Sequence, residues 1–315
     1  MARARGANAI MAVAAETSYG VPPINGYQRV PFVSSQMGAE QSLIESDLLG
    51  QGRAPSDPTY DVVTNDGDVV VPLDTRAFGV WLRLMFGPPT TVPATGSLYA
   101  HQFSSGAVQL PSDSIEIAHP DRPSFSTHYG VRANTLQIQM QRSGLTSATI
   151  GLIGKGETVP SLTSNAGTTT SYGEVQRFAA ATGYITMDGV QVGEVVSANI
   201  SYSNGLDKDE TIRADSEIND VDAGMPSASI ALTLKFADMT LLTKATSKTP
   251  VSIALTWPYS AGIYLGVQLP RVFLPRSKRP ITGPGGIQLS VNGIASAGTG
   301  NLINISLNND VPTYA

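Results

Sequence analysis

Apolar and polar residues alternate one for one through much of this chain, and that period constrains its fold more than any other feature. Leu136, Ile138 and Met140 alternate with Gln137, Gln139 and Gln141, and Ile230, Leu232, Leu234 and Phe236 with Ala231, Thr233 and Lys235. Val251, Ile253, Leu255 and Trp257 repeat the pattern, as do Ile287, Leu289 and Val291, and Ile303, Ile305 and Leu307. Successive side chains of a strand point to opposite faces, so a period of two predicts antiparallel strands with one buried and one wet face. Asp188-Gly189, between Tyr184–Met187 and Val190–Val192, marks a two-residue hairpin, because glycine accepts the positive φ of a type I′ turn.

Two segments carry a helical period instead. Asp74 or Thr75 can cap a helix with Phe78, Trp81, Leu82 and Met85 on one stripe, stopped by Gly87-Pro88-Pro89. Asp238 can cap a shorter helix carrying Met239, Leu242 and Ala245. These two helices expose an internal duplication. Gly38 and Gly205 are 167 residues apart, as are Glu40 and Asp207, and the caps Asp74 and Asp238 are 164 apart. Leu136–Met140 finds its counterpart in Ile287–Val291, offset by 151. Residues 157–183, rich in Gly, Ser, Thr and Ala, form a linker or long loop. The boundary falls near Phe178, giving modules of residues 1–177 and 178–315.

The 315 residues include no cysteine, which removes disulfides, thiolate metal sites and thiol nucleophiles. Only 14% are charged against the usual roughly 25%. With 41% apolar residues to fill a core, this sparse charge points to a folded chain whose outer surface is covered by neighbours. Self-assembly is the first expectation. The net charge of -5 gives no basic footprint for nucleic acid, and no stretch reaches 18 apolar residues, so no helix spans a membrane. Arg3, Arg5 and the alanine-rich run to Ala15 imitate a signal peptide, but Asn8 interrupts a run with too few large apolar residues.

Charge is concentrated in two places. Residues 207–222 hold seven acids against Lys208 and Arg213, and residues 40–74 hold eight against Arg53 alone. Recurrence at the same place in both repeats favours a shared role over a merely solvated face. The basic cluster Arg271, Arg276, Lys278 and Arg279 is their electrostatic complement on a neighbouring subunit.

The residues then become recognisable. Arg5-Gly6-Ala7-Asn8-Ala9, Glu16-Thr17-Ser18-Tyr19-Gly20, Phe32-Val33-Ser34-Ser35, Gly38-Ala39-Glu40-Gln41 and the run Leu43 to Arg53 resemble the major tail tube protein of long-tailed bacteriophages with non-contractile tails. Val69 to Gly79, Trp81-Leu82, Phe86-Gly87, Val131 to Asn134 and Arg142 to Leu145 continue the likeness, which is dense over the first 155 residues or so. It is looser beyond, through Gly193, Ser201, Asn204 to Asp207 and the acidic loop. The resemblance implies a mainly β fold of two tandem β-sandwich or barrel modules, each with a short flanking helix. It also implies rings closed by a continuous inner sheet and stacked into a tube, with loops reaching the next ring. A duplicated chain then needs three copies to present six domains. Further implied partners are tail terminator and tail-tip or tape-measure proteins. The implied location is the virion tail, assembled in the host bacterial cytoplasm.

A tube must pass double-stranded DNA without gripping it, and acids repel phosphate where Lys and Arg would bind it. Glu45, Asp47, Asp61, Asp66, Asp209, Glu210, Asp215 and Glu217 are the candidates to line the bore. The segments Leu48 to Tyr60 and Asp209 to Met225 are the candidate inter-ring loops, with Leu48, Leu49, Arg53, Pro55, Pro58, Tyr60, Arg213 and Ile218 as contacts. Catalysis finds no support. His101, His119 and His128 lack ligand spacing and read as turn or surface residues, and Gly283-Pro284-Gly285-Gly286 lacks the lysine of a phosphate loop. No cofactor is expected. An alternative function, a virion-surface or secreted carbohydrate-binding β-sandwich, needs an aromatic platform, but Trp81 and Trp257 sit in apolar stripes and read as core.

Overall fold

A computed structural model describes residues 3–49, 53–235, 240–278 and 286–314. The first part of the chain forms β1 (Ile10–Ala15), β2 (Gln28–Val30), β3 (Ser34–Ser35), β4 (Gly38–Ile44), β5 (Thr59–Pro72), α1 (Phe78–Phe86), β6 (Thr90–Pro93), β7 (Tyr99–Ser104), β8 (Asp113–Ala118), β9 (Phe125–Gln141), β10 (Ser147–Gly154), β11 (Gly156–Glu157) and β12 (Thr170–Ser171). The second part forms β13 (Tyr184–Met187), β14 (Val190–Gln191), β15 (Val195–Ser203), β16 (Asp207–Lys208), β17 (Val221–Asp222), β18 (Ser227–Lys235), α2 (Thr240–Ser247), β19 (Val251–Ser260), β20 (Ile263–Phe273), β21 (Gln288–Ala295) and β22 (Asn304–Asn309). The described residues are mainly β and sandwich-like, with two α-helices and no closed barrel among them. No described helix is long and apolar enough to cross a membrane.

One antiparallel layer runs β4–β5–β10–β9–β15–β18–β21. The alternation shapes it as expected. Leu136, Ile138, Ile150, Leu152, Ala198, Ile200, Ile230, Leu232, Leu289 and Val291 all face inward, each at most 4% exposed. β9 is 17 residues long and serves two sheets. Its N-terminal part pairs with β8 and β11, while its C-terminal part lies between β10 and β15. The covering layer holds β2–β1–β8 over the first half and β14–β13–β19–β20–β22–β7–β6 over the second. β6 and β7 therefore cross from the first half into the second half's sheet.

Helix α1 fills the space between layers and is buried on every side, with Trp81 and Leu84 at most 1% exposed. Asp74 tethers its start, accepting hydrogen bonds from the backbone N–H groups of Ala77 and Phe78 at 2.8 Å each. Gly87 ends it at φ +88°, a value glycine adopts without penalty. Burying the whole helix forces Arg83 inside, where it meets the fully buried Asp113 of β8 at 2.6 Å. The expected cap Asp238, with Phe236 and Met239, lies outside the described residues.

The expectation for two histidines is corrected. His101 and His128 are buried, 1% exposed each, rather than in turns or at the surface. They fall on the inward side of β7 and β9 and are held by polar partners. His101 lies 2.8 Å from Thr91 and 2.9 Å from the Val311 carbonyl, and His128 lies 3.0 Å from Asn65. Burial pushes both imidazoles below their ordinary pKa, towards the neutral form. Residues 157–183, expected as a linker or long loop, run mostly without regular structure and are tied to the first half. Glu116 accepts hydrogen bonds from Ser164 and from the Asn165 and Ala166 amides, and Phe178 is fully buried.

The strand pairing occurs twice. The pairs β1–β2, β1–β8, β8–β9, β9–β10, β10–β5, β5–β4 and β9–β11 have counterparts in β13–β14, β13–β19, β19–β20, β20–β21, β21–β18, β18–β15 and β20–β22. Even a register shift recurs, between Asp113 and Ile115 in β8 and between Val251 and Ile253 in β19. Register, however, places Gly38 against Ser201, not Gly205: Gly38↔Asp66 maps onto Ser201↔Ser229, and Ile44↔Thr59 onto Asp207↔Asp222, a constant offset of 163. The counterpart of β21 is β10, not the Leu136–Met140 part of β9, because β21 joins β18 to β20 as β10 joins β5 to β9.

Removing one partner of the Arg83–Asp113 pair strands a buried charge, so Asp113→Ala is expected to lower unfolding free energy by about 3–5 kcal/mol in urea titrations. The pair also makes a pH prediction. Burial raises the Asp113 carboxyl from 3.8 to about 6, and the favourable charge of Arg83 offsets only part of this. Its contribution to stability is thus complete below about pH 4 and is lost as pH rises through about 6, by up to about 3 kcal/mol. The urea midpoint of Asp113→Asn should lack that component of the slope.

Candidate assembly and lumen surface

The outward face of the β5–β10–β9–β15–β18–β21 layer has an unusual composition. Its rows read Thr149, Gln137, Ser201 and Ser229 across four strands, then Gln139, Asn199, Ala231 and Asn292, then Gln141, Ser197, Thr233 and Ser290. All are half-buried or exposed, and all are neutral. Among the described residues of these strands, charge enters this face near its ends, with Asp66, Asp68, Arg132 and Lys235. The alternation carried a signal for this surface. The polar partners of the apolar residues are Gln, Ser, Asn and Thr rather than the Lys and Glu of an ordinary wet face.

The acids lie elsewhere, on two related hairpins. In the second half, β16, β17 and the residues between them fold back onto the first half. Ile218 and Val221 cluster with Ile153 of β10. Around that contact Arg132 of β9 pairs with Asp220 at 2.9 Å and donates to the Val221 carbonyl, and the Tyr129 hydroxyl donates to Glu217. Lys208 pairs with Asp66 at 2.8 Å, and the Val63 amide donates to the Ser216 carbonyl. Burial, together with the neighbouring Glu217, raises the Tyr129 phenol well above its ordinary range. Within the loop, Arg213 pairs with Asp215, and Asn219 donates to Asp209. The Arg213 guanidinium holds Asp215 down to about 2.

Of the eight acids expected in the bore, Asp66, Asp209, Asp215 and Glu217 therefore have partners within the chain. Asp61 accepts from Ser42, and Glu45, Asp47 and Glu210 are exposed on the hairpins. Ile218 is buried under the second-half loop, so it anchors that loop rather than offering a contact; Arg213 stays at the surface.

The equivalent hairpin of the first half behaves differently. From Gly38 to Ile44 and from Thr59 to Thr64, β4 and β5 form an arm with hardly a buried residue. Leu43, Ile44, Leu48, Leu49, Tyr60 and Val62 are 52–93% exposed on it. Arg53, Pro55 and Pro58 are exposed near its tip. Apolar side chains this densely exposed on one element mark an interaction surface. The outer edge of β4 also lacks a strand partner among the described residues, and an open edge is a template for pairing. Arg271, Arg276 and Lys278 are exposed on and after β20, and Arg279 lies outside the described residues.

Trp81 and Trp257 are 1% and 0% exposed, which denies them a role as a sugar-stacking platform. These features describe a β protein with an open sheet edge and an exposed apolar arm among its described residues. The family model for phage tail tube proteins matches residues 6–295, nearly the whole chain, and the chain belongs to that family. No curated protein matches it significantly. Membership makes it a structural component of the virion tail in a family that self-assembles into a tube.

The loop over Ile153 makes a local prediction. Arg132→Ala removes charge-assisted hydrogen bonds worth about 1.5–3 kcal/mol, so trypsin should cut after Lys208 and Arg213 at least about tenfold faster, with the main unfolding transition little changed.

Proposed function

We propose that this chain forms the tail tube as trimeric rings, each copy presenting two tandem modules, of residues 1–177 and 178–315, and so six pseudo-equivalent domains per ring. The observation that carries this is the β9–β15 junction, where seven consecutive residues from Ser197 to Ser203 pair with Gln141 to Thr135. It fuses the two halves into one sheet. The repeat of β15 in the first half is β3–β4, whose outer edge is open. The repeat of the β9 tail is the segment after Phe273, described as far as Lys278. Copies join when β3–β4 of one pairs with residues 274–278 of the next, as β15 pairs with β9. A ring contact of this kind closes, and head-to-tail stacking of rings then grows a filament.

The neutral amide and hydroxyl face lines the bore in this arrangement. Such a wall offers DNA no cations to exchange for its counterions, so DNA slides along it without being held. The acids of the arms and loops sit towards the rims, where at a Debye length of about 8 Å they repel DNA that strays close. DNA ejection passes through this conduit. Tail terminator and tail-tip or tape-measure proteins contact its ends, and assembly takes place in the host bacterial cytoplasm.

Electron microscopy of the purified protein tests the reading: hollow tubes are expected, with three chains per ring and a covalent link between alternate neighbours. Monodisperse monomers, or rings of six chains, would overturn it. Replacing Gln137, Gln139, Asn199 and Thr233 together with Lys should leave tubes intact and make them retain DNA, with retention falling steeply as salt is raised. Tubes of this variant that release DNA as the parent does would remove the wall from the bore.

A further inference from the structure

The repeat shows an uncovered site. Ile153, over which the second-half loop packs, pairs with Asp66 and Arg132, whereas Ile294 pairs with Ser229 and Phe273. Asp66 and Ser229 are themselves equivalent, so Ile294 is the repeat of Ile153 and Phe273 that of Arg132. Ile153 is 9% exposed beneath Ile218 and Val221, but Ile294 is 69% exposed and Phe273 37%. A positive charge is present at both places. Arg271 lies over the Phe273 ring at 5.2 Å, where Arg132 in the first half lies over Tyr19 at 4.6 Å.

The covering element also has its repeat. Fourteen residues separate Ile44 from Thr59 and fourteen separate Asp207 from Asp222, and both pairs face each other in register. The offset of 163 places Pro58 at Val221, Pro55 at Ile218 and Asp57 at Asp220. All three arm residues are exposed. Within the chain the second-half loop covers Ile153 of the first half, and the equivalent place on the second half is left open to the arm of another molecule. The charges agree: the arm carries Glu40, Glu45, Asp47, Asp57 and Asp61 against Arg53, while the open patch is flanked by Arg271, Arg276 and Lys278.

We propose that the Phe273–Ile294 patch is the docking site for the β4–β5 arm of a second copy of this chain, with Pro55 and Pro58 over Ile294 and Asp57 paired with Arg271. The contact rests on the reading of the chain as tandem modules that join edge to edge. It gives the exposed arm a seat on the adjacent subunit, in the register that the second-half loop occupies internally.

The absence of cysteine makes the test direct. Pro58→Cys and Ile294→Cys, prepared as separate full-length proteins, are mixed and mildly oxidised, with Val221→Cys/Ile153→Cys in one chain as the geometric control. A covalent heterodimer from the mixture, absent from either single variant, supports the docking. A control that closes its internal disulfide while the mixture stays monomeric overturns it. Asp57→Arg and Arg271→Asp should each weaken association, and combining them should restore it; a double variant no better than the singles also counts against the pair. Microscopy of the parent protein separates the two levels. Tubes without crosslinking leave the tube reading standing and remove this contact, whereas crosslinking without tubes keeps the contact and removes the tube.

Discussion

Pairing between β9 and β15 is the constraint on which the rest of the structure depends. A strand that ends a sheet exposes a row of unsatisfied N–H and C=O groups, and these recruit any strand within reach. Here the first half's longest strand meets the second half's leading long strand, so one internal edge disappears at the covalent junction. The outer edge of β4 stays open among the described residues. Low overall charge and an exposed apolar arm are consistent with edges that pair with other copies.

The two halves solve one packing problem with different chemistry. In both, a hairpin of the same length and register leaves the same place in the sheet. The second-half hairpin finds Ile153, Arg132 and Tyr129 of its own chain and lies down. The first-half hairpin meets no equivalent cluster among the described residues and stands exposed. What differs is the supply of neighbours, and that is a property of position in the chain. β6 and β7 add a further link, since they complete the sheet beside β22 and bring Arg76 to Asp310 at 2.6 Å. The halves are thereby interleaved as well as joined.

Much of this was legible in the sequence. The period-two runs located β9, β18, β19, β21 and β22, and the stripe from Phe78 to Met85 located α1 with its Asp74 tether, because burial of one face leaves a direct trace in residue type. The duplication was visible in the order of features but not in its register. Isolated glycines and acids lie in loops whose identities drift, whereas register resides in backbone hydrogen bonds that carry no residue label. His101 and His128 were misplaced for a related reason: a polar residue on the inward side of a strand looks like a break in the pattern until its partner, Asn65 or Val311, is seen across the sheet. The partners of two acids expected in the bore, Lys208 for Asp66 and Tyr129 for Glu217, are distant from them in sequence, so spacing could not show that these acids are engaged within the chain.

A conduit for DNA has two requirements that pull apart: its wall must be wet enough to let a hydrated polyanion pass, yet must not attract it. Strong negative charge on the wall meets the second at the cost of self-repulsion between subunits packed into a ring, which destabilises the assembly. Amides and hydroxyls meet both, since they hydrogen-bond water and form cross-strand contacts without net charge. Placing the acids on hairpins, where Arg132, Lys208 and Arg213 neutralise several of them, confines repulsion to loops that can be paired. In the proposed tube, a neutral wall with acids held on flanking hairpins is thus the arrangement that a self-pairing sheet could sustain without weakening its ring.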